Sequence, residues 1–209
     1  ANTAVGYGSL TDCTTGFDNT AIGANAGIAV TTGDNNTLLG HDAGRSGSPG
    51  GEINTGNNQV VLGDENVAGF HAQVSLTVAS DQRDKTDFSD LDVGLDFVNA
   101  LKPYTYKWDK RAKYGDKDSS DFDLNNLTPD GTHKEDWLDI GFKAQEVEAL
   151  EKSAGYKIAD KTNLVTTLTG DGKQYGMKYE KFVPILVKAL QELSAKNDAL
   201  EARITALES

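Results

Sequence analysis

The chain is poor in several residue types on which common classes of protein depend. Its 209 residues include a single cysteine, Cys13, together with one methionine and four prolines. One cysteine excludes an internal disulfide framework. The three histidines, His41, His71 and His133, lack the spacing of metal ligands. We therefore expect no metal site and no other cofactor.

Positive charge is also scarce. The formal net charge is −12, from 20 Lys and Arg against 32 Asp and Glu. A nucleic-acid partner is not expected, because binding to phosphates depends on clustered basic residues and the chain has no basic stripe. No apolar run approaches the ~20 residues needed to cross a bilayer, so the sequence predicts no membrane span.

The scarcity of basic residues is greatest at the start of the chain. Before residue 80 the sequence is rich in Gly, Asn and Thr, and Arg45 is its one basic residue. Both tryptophans and nearly all the lysines and arginines follow residue 80. We therefore predict two domains, an N-terminal fibre stalk over 1–79 and a C-terminal domain over 80–209.

The first domain is a repeat. Segments 15–23, 32–40 and 55–63 align, and residues 2–6 form a partial earlier copy. Equivalent positions fall at 2, 19, 36 and 59, so the spacing is the same twice and is then lengthened by an insertion around 47–51. One unit cannot bury its own apolar face, so the repeats must stack. The apolar positions that recur in phase are Val5, Ile22, Leu39 and Leu62. The pattern predicts an all-β, solenoid-like stalk and resembles the trimeric β-roll repeats of adhesins and phage fibres.

A serine and a lysine lie five residues apart where the composition changes, in Ser80-Asp81-Gln82-Arg83-Asp84-Lys85. In a helix the two side chains would point roughly 140° apart, and in a strand they would lie on opposite faces. Only a turn or a neighbouring subunit could bring them together. If they meet, the amine of Lys85 could accept the proton of the Ser80 hydroxyl and create a nucleophile. A solvated polar loop can contain the same pair, so the spacing alone leaves both interpretations open.

Short helices and strands are predicted after the repeats, in a mixed α+β domain. We predict strands at 70–78, 104–108 and 140–142, helices at 91–101 and 144–150, and a hairpin around Asp171-Gly172. The first helix is expected to be capped by Asp87, Ser89 or Asp90. The aspartate-rich segment 109–136 is predicted to be an insertion.

The C-terminal segment, from about 179 to 208, carries four heptads in phase. Lys196 and Arg203 fall at g positions, and Glu201 and Glu208 fall at e positions. Such charges beside an unbroken apolar seam favour a parallel coiled coil. The heptads alone do not decide between a dimer and a trimer. The predicted association residues are Val183, Leu190, Asn197 and Ile204 at a, and Leu186, Leu193, Leu200 and Leu207 at d.

Four motifs in order resemble the C-terminal intramolecular chaperone of phage tailspikes and tail fibres, of the endosialidase type. They are Ser80-Asp81-x-Arg83-x-Lys85, Leu101-Lys102-Pro103 with Tyr106 and Trp108, Gly141-Phe142-x-Ala144-Gln145-Glu146-Val147, and Met177-x-Tyr179 with Val183-Pro184-x-Leu186. The resemblance covers 80–209. It implies a homotrimer that templates folding of its own upstream stalk and is then released by autoproteolysis.

The resemblance also implies roles for individual residues. Ser80 would be the nucleophile and Lys85 its partner, with Ala79–Ser80 as the scissile bond. Asp81, Arg83, Gln145 and Glu146 would be supporting motif residues. The parent fibre would belong to a virion, with the chaperone domain released in the host cytoplasm. The motifs do not identify the host receptor of that fibre.

One position departs from the family pattern. The residue before the motif lysine is commonly apolar, whereas here it is Asp84. An acid at this position could hold Lys85 protonated and slow cleavage. The alternative is a non-cleaving trimeric adhesin or fibre stalk with a permanent C-terminal anchor. A glycan-degrading enzyme is not expected, since residues 1–79 show no convergent pair of carboxylates.

Overall fold

The computed structural model describes residues 1–208, and these form a mixed α and β structure. The strands are β1 (Thr3–Val5), β2 (Thr20–Ile22), β3 (Thr37–Leu39), β4 (Val60–Leu62), β5 (Tyr104–Tyr106), β6 (Asp139–Gly141), β7 (Thr166–Leu168) and β8 (Tyr175–Met177). The α-helices are α1 (Leu95–Ala100), α2 (Ala144–Ser153) and α3 (Phe182–Glu208). Strands β1 to β4 form one sheet in sequence order, and β5–β6 and β7–β8 form two small sheets.

These residues form two compact units, neither of which is continuous in sequence. The first consists of Ala1–Phe70, Thr105–Gly141 and Leu168–Gly176. The second contains His71–Tyr104, Phe142–Thr167 and the chain from Met177 onward. The sequence boundary between residues 79 and 80 therefore does not coincide with a boundary between compact units, and the two-domain division stays a prediction.

The repeat array, here defined as residues 1–64, is a stack of parallel strands. Thr3 pairs with Thr20, Thr20 pairs with Thr37, and Thr37 pairs with Val60. Each strand therefore pairs with the equivalent strand of the next repeat, and the longer final offset matches the longer final repeat of the sequence. The register confirms the alignment of the repeats.

The core of the repeat array includes the middle residue of each of the strands β2, β3 and β4. Ala21, Leu38 and Val61 are buried and point into the array, where they join turn residues such as Val30. The in-phase positions lie on the other face of the sheet, where Val5, Ile22 and Leu62 are exposed and Leu39 is half-buried. This follows from the two-residue alternation of a strand. The side chains that recur in phase therefore form an outer apolar stripe.

Asparagine side chains continue the hydrogen bonding between repeats beyond the short strands. The side-chain oxygen of Asn2 accepts from the Asn19 amide, and that of Asn19 accepts from the Asn36 amide, at 2.9 and 3.0 Å. Asn19 and Asn36 are buried, and each side-chain amide also donates to a glycine carbonyl. At the strand ends, a Cβ on Gly23 would lie 2.5 Å from the Gly40 carbonyl, so a side chain cannot be accommodated there.

The second unit has a separate core between its helices. Its buried apolar residues are Val93, Phe97, Val147, Val165, Phe182 and Ile185. The carboxylate of Glu192 in α3 accepts from the Leu95 amide at 2.8 Å and caps α1. Glu151 in α2 is fully buried and accepts hydrogen bonds from the amides of Leu164, Val165 and Thr166 and from the Thr166 hydroxyl.

Two of the local predictions were wrong. Residues 70–78 form no strand, and all are exposed in the single chain, because no neighbouring strand among residues 1–208 offers a hydrogen-bonding edge. Helix α1 begins at Leu95 rather than near residue 91. The predicted caps at Asp87, Ser89 and Asp90 are replaced by the distant Glu192.

The other elements agree with the predictions to within a few residues. Strand β6 and helix α2 occupy the predicted positions, and β7 and β8 pair across Asp171-Gly172. A 3-10 turn over Tyr179–Lys181 leads into the 27-residue helix α3, with Pro184 in its first turn. Among residues 1–208, no helix combines the length and hydropathy required to cross a bilayer.

Candidate functional site

The segment from Ser80 to Lys85 forms a tight turn that brings its two ends together. A 3-10 helix spans Gln82–Asp84, and the Lys85 amide donates to the Gln82 carbonyl. This geometry places the Lys85 amine 2.5 Å from the Ser80 hydroxyl, with the amine as donor. A turn therefore does what neither a helix nor a strand could do for residues at this spacing.

Asp81 and Arg83 shape this turn. The Asp81 carboxylate accepts from the Arg83 amide at 2.9 Å and so caps the 3-10 helix. It also binds the Arg83 guanidinium, at 2.6 Å to Nη2. Hydrogen bonds from the Arg83 side chain and amide lower the pKa of Asp81 and keep it charged. Asp81 and Arg83 therefore stabilise the bend of the chain between Ser80 and Lys85, and their supporting role in cleavage stays a prediction.

The turn is open to solvent in the single chain. Every residue from 65 to 90 is exposed or half-buried, and Ser80 and Lys85 are both exposed. Asp84 is also exposed, and among residues 1–208 it forms no ion pair with Lys85. Large apolar side chains are exposed on both sides of the turn, at Phe70, Val74, Leu76, Val78 and Phe88. An apolar surface of this kind is typical of an interface with another molecule.

Gln145 and Glu146 lie at the start of α2 and take part in a different set of contacts. The Tyr104 hydroxyl donates to Glu146 at 2.9 Å, and Lys143 forms an ion pair with the same carboxylate at 3.2 Å. The hydrogen bond from Tyr104, together with Lys143, lowers the pKa of Glu146. Gln145 is exposed. Within residues 1–208 neither side chain forms a hydrogen bond with Ser80 or Lys85.

The predicted association residues form a continuous exposed stripe along α3, here termed the heptad face. Its apolar members are each at least half exposed, although the adjacent face of the same helix is buried by α1 and the core of the second unit. The Asn197 side chain is also exposed and donates to Glu201 at 3.0 Å. The members of the heptad face are Val183, Leu186, Leu190, Leu193, Asn197, Leu200, Ile204 and Leu207.

A cluster that the sequence reasoning missed lies in the repeat array. His41, Asp42 and Asp64 have possible ligand atoms within 4.8 Å of one another. The signal was present in the sequence, since positions 41 and 64 are separated by the period of the last repeat. Arg45 and Lys117 form ion pairs with Asp42, so protein cations already balance charge at this cluster.

A comparison with known protein families matches part of the C-terminal region. Residues 80–156 match the family described as the chaperone of endosialidase, and the family is named as a peptidase. The match begins at Ser80, the first residue of the turn. No curated protein matches the chain.

Proposed function

Residues 80–156 form an endosialidase-type chaperone domain, and on this premise we propose that the C-terminal part drives trimerisation and folding of the upstream repeat array and then cleaves itself from it. The parent protein would be a phage tail fibre or tailspike in the virion. The chaperone domain would be released in the host cytoplasm during assembly. The observation that carries the self-cleaving part of the proposal is the contact between Lys85 and Ser80 at the start of the family match.

Trimerisation is supported by the heptad face. An α-helix with one face buried in its own domain and a second, unbroken apolar face exposed is expected to bury that second face against copies of itself. Three copies held in parallel by α3 would raise the effective concentration of three repeat arrays. Contacts within a helix are local and form quickly, whereas pairing between distant repeats is slow. The outer apolar stripe of the array would then be available for association.

The proposed cleavage follows the chemistry of a Ser/Lys dyad. The Ser80 oxygen attacks the carbonyl carbon of Ala79 while the amine of Lys85 takes the hydroxyl proton. The bond between that carbon and the Ser80 nitrogen breaks, and the nitrogen receives the proton. This leaves an ester between Ala79 and the Ser80 side chain. Water hydrolyses the ester to a carboxylate on Ala79 and restores the Ser80 hydroxyl.

The exposed turn suggests why cleavage would follow assembly. An amine that acts as a base must be neutral, and water favours its charged form. The apolar side chains that flank the turn are expected to be covered when three copies assemble. Covering them would remove water from the turn and favour neutral Lys85. The contact forms within one chain, which supports a dyad in cis rather than between subunits.

The test is the mass of the chain after refolding. The wild-type protein is expected to yield fragments 1–79 and 80–209 on a denaturing gel and by intact mass. Ser80→Ala and Lys85→Ala should remain full length and still sediment as trimers. Ser89→Ala, at an exposed serine nine residues further on, is the matched control and should be cleaved like wild type.

The competing function is a fibre stalk with a permanent C-terminal anchor. That function predicts an intact wild-type chain after long incubation. Normal cleavage in either Ser80→Ala or Lys85→Ala would refute the dyad. If residues 1–79 expressed alone formed the same heat-resistant trimer, the C-terminal part would have no chaperone role.

A further inference from the structure

The proposed scissile bond does not lie between two compact bodies. The first compact unit contains the repeat array, which precedes Ala79, and two segments that follow Ser80. These segments are Thr105–Gly141, here termed the insert, and Leu168–Gly176, here termed the hairpin tip. Hydrolysis of one peptide bond would leave every contact among these three parts in place.

The strongest of these contacts is centred on Lys117 of the insert. Its amine lies 2.5 Å from the carboxylate of Glu65, the residue that directly follows the repeat array, and 3.4 Å from the Asp42 carboxylate. The three side chains are only 14 %, 8 % and 4 % exposed. Residue 42 follows the third repeat segment (32–40) and residue 65 follows the last one (55–63), so a single lysine contacts the ends of both.

A second cation forms the reciprocal contact from the array to the insert. The Arg45 guanidinium donates to the Lys117 carbonyl at 2.5 Å and to the Asp118 carboxylate at 2.6 Å. It also pairs with Asp42, at 3.4 Å. Lys117 of the insert and Arg45 of the array are therefore both largely buried at this contact, whereas the Asp118 carboxylate is 81 % exposed. Removal of one partner from a buried pair leaves an uncompensated charge, which is strongly unfavourable.

Further contacts come from residues 47–52, where the last repeat is longer than the others. The side chain of Gln174 in the hairpin tip donates to the Ser48 carbonyl at 2.8 Å, and the Asp171 carboxylate accepts from the Glu52 amide at 2.8 Å. A Cβ on Gly47 would lie 2.7 Å from the Cβ of Ala112 in the insert. The backbone of residues 47–52 and the insert are therefore in close contact.

We propose that cleavage at Ala79–Ser80 does not separate the two fragments, and that the repeat array binds the insert and hairpin tip as a non-covalent partner through Lys117 and Arg45. Release is then a second step, governed by this ionic contact rather than by the peptide bond. The inference rests on the proposed function only for the origin of the cut, since the contacts exist whether or not the chain cleaves itself.

A cut made by an added protease tests whether the fragments stay bound after cleavage, and it does not depend on autoproteolysis. In a Ser80→Ala background, a protease recognition sequence is placed between His71 and Ala72, both of which are exposed. After complete cutting, the fragments are expected to co-elute in size-exclusion chromatography at micromolar concentration. Immediate separation of these two fragments, which keep Lys117 and Arg45, would overturn the proposal. An absence of self-cleavage in the chain that retains Ser80 would affect only the proposed function.

Two variants and one control test the ionic contact itself. Lys117→Met removes the buried cation contributed by the insert and should speed dissociation of the cut fragments by a factor on the order of 100. Arg45→Gln removes hydrogen bonds to the Lys117 carbonyl and to the exposed Asp118 carboxylate, and the expected factor is on the order of 10. Lys134→Met, at an exposed lysine of the same insert, should leave the dissociation rate unchanged. Equal rates in all three variants would overturn the role of Lys117 and Arg45. If neither variant folds, co-elution of the cut wild-type fragments decides the proposal by itself.

Discussion

Phe182 and Val183 are neighbours in α3 but lie in opposite environments, with exposed fractions of 6 % and 60 %. Phe182 belongs to the face of α3 that packs in the core of the second unit, and Val183 begins the heptad face. The helix therefore has two apolar faces, and only one of them is covered within the chain. The exposed one runs to Leu207, far beyond the point at which Glu192 of α3 caps α1.

A charge on the heptad face should dissociate the oligomer and leave each chain folded. Leu190→Lys would place an ammonium group inside the expected helical seam and cost about 3 kcal/mol per chain. Sedimentation equilibrium should then show monomers at concentrations at which the wild type is expected to be trimeric. Gln191→Lys adds the same charge one residue away, on an exposed position outside the seam, and should stay trimeric. Equal masses for the two variants would contradict the coiled coil.

Removal of the cap at Asp81 should slow cleavage without abolishing it. Asp81→Ala loses the acceptor that holds the 3-10 turn, so Lys85 would contact Ser80 less often, and the single-turnover rate should fall about tenfold. Asp81→Asn keeps a capping oxygen and should recover most of the rate. The measurement is the cleavage rate as a function of pH. The rate should fall by the same factor at every pH, so that the pH profile keeps its shape. A shifted profile would instead mean that Asp81 alters the titration of the dyad.

Loss of the buried carboxylate of Glu151 should destabilise the second unit. In the wild type one carboxylate oxygen accepts from the amides of residues 164, 165 and 166, and the other accepts from the Thr166 hydroxyl. Glu151→Gln replaces one of these two acceptors with an NH2 group, which is a donor. The expected cost is about 2–4 kcal/mol, because donors in a buried site would lack full partners. Hydrogen exchange at Leu164–Thr166 reports on this region directly. Glu180→Gln, at an exposed glutamate, should leave that exchange unchanged.

The repeat array should lose stability in acid through Asp64. Burial raises the pKa of Asp64, but hydrogen bonds from His41 and Asn66 and the charge of Lys117 outweigh it, so the pKa lies below its ordinary 3.8. The charged form therefore stabilises the fold above about pH 4. This contribution is lost as the pH falls from there through the folded-state value.

The measurement for Asp64 is thermal unfolding followed by fluorescence of Trp108 and Trp137, which both lie in the first unit. Between pH 5 and 3, Asp64→Asn should show a smaller loss of stability than wild type. Asp12→Asn, at an exposed aspartate of the same array, should follow the wild-type curve. Identical pH dependence in all three proteins would exclude Asp64 as the source.

The parts of the fold that repeat in sequence could be predicted, and the parts that depend on distant contacts could not. The register of β1 to β4 follows from the spacing of the repeats, and α3 follows from its heptads. In contrast, α1 is capped by Glu192, a partner 97 residues away that no local pattern reveals. The strand predicted over 70–78 failed for a related reason, since a strand is stable only beside another strand.

The candidate site shows the same division. The sequence predicted that only a turn or a neighbouring subunit could bring Ser80 and Lys85 together, and the structure has a turn. The sequence could not show that Asp81 would cap that turn. It did not show which loops of the C-terminal part contact the array. In the structure the insert and the hairpin tip do so. The ion pair between Lys117 and Glu65 joins residues 52 apart in sequence, which composition and spacing do not predict.

The longer final repeat divides the repeat array into two parts that differ in their contacts. The insert and the hairpin tip form their hydrogen bonds and ion pairs with positions from Asp42 to Glu65, which follow the third repeat segment. The earlier repeats share one spacing and one register, and within residues 1–208 they take no part in those contacts. Repeats of the shorter length could therefore be added to or removed from the N-terminal side without altering the surface that contacts the insert and the hairpin tip. The same C-terminal part could in this way be combined with repeat arrays of different lengths.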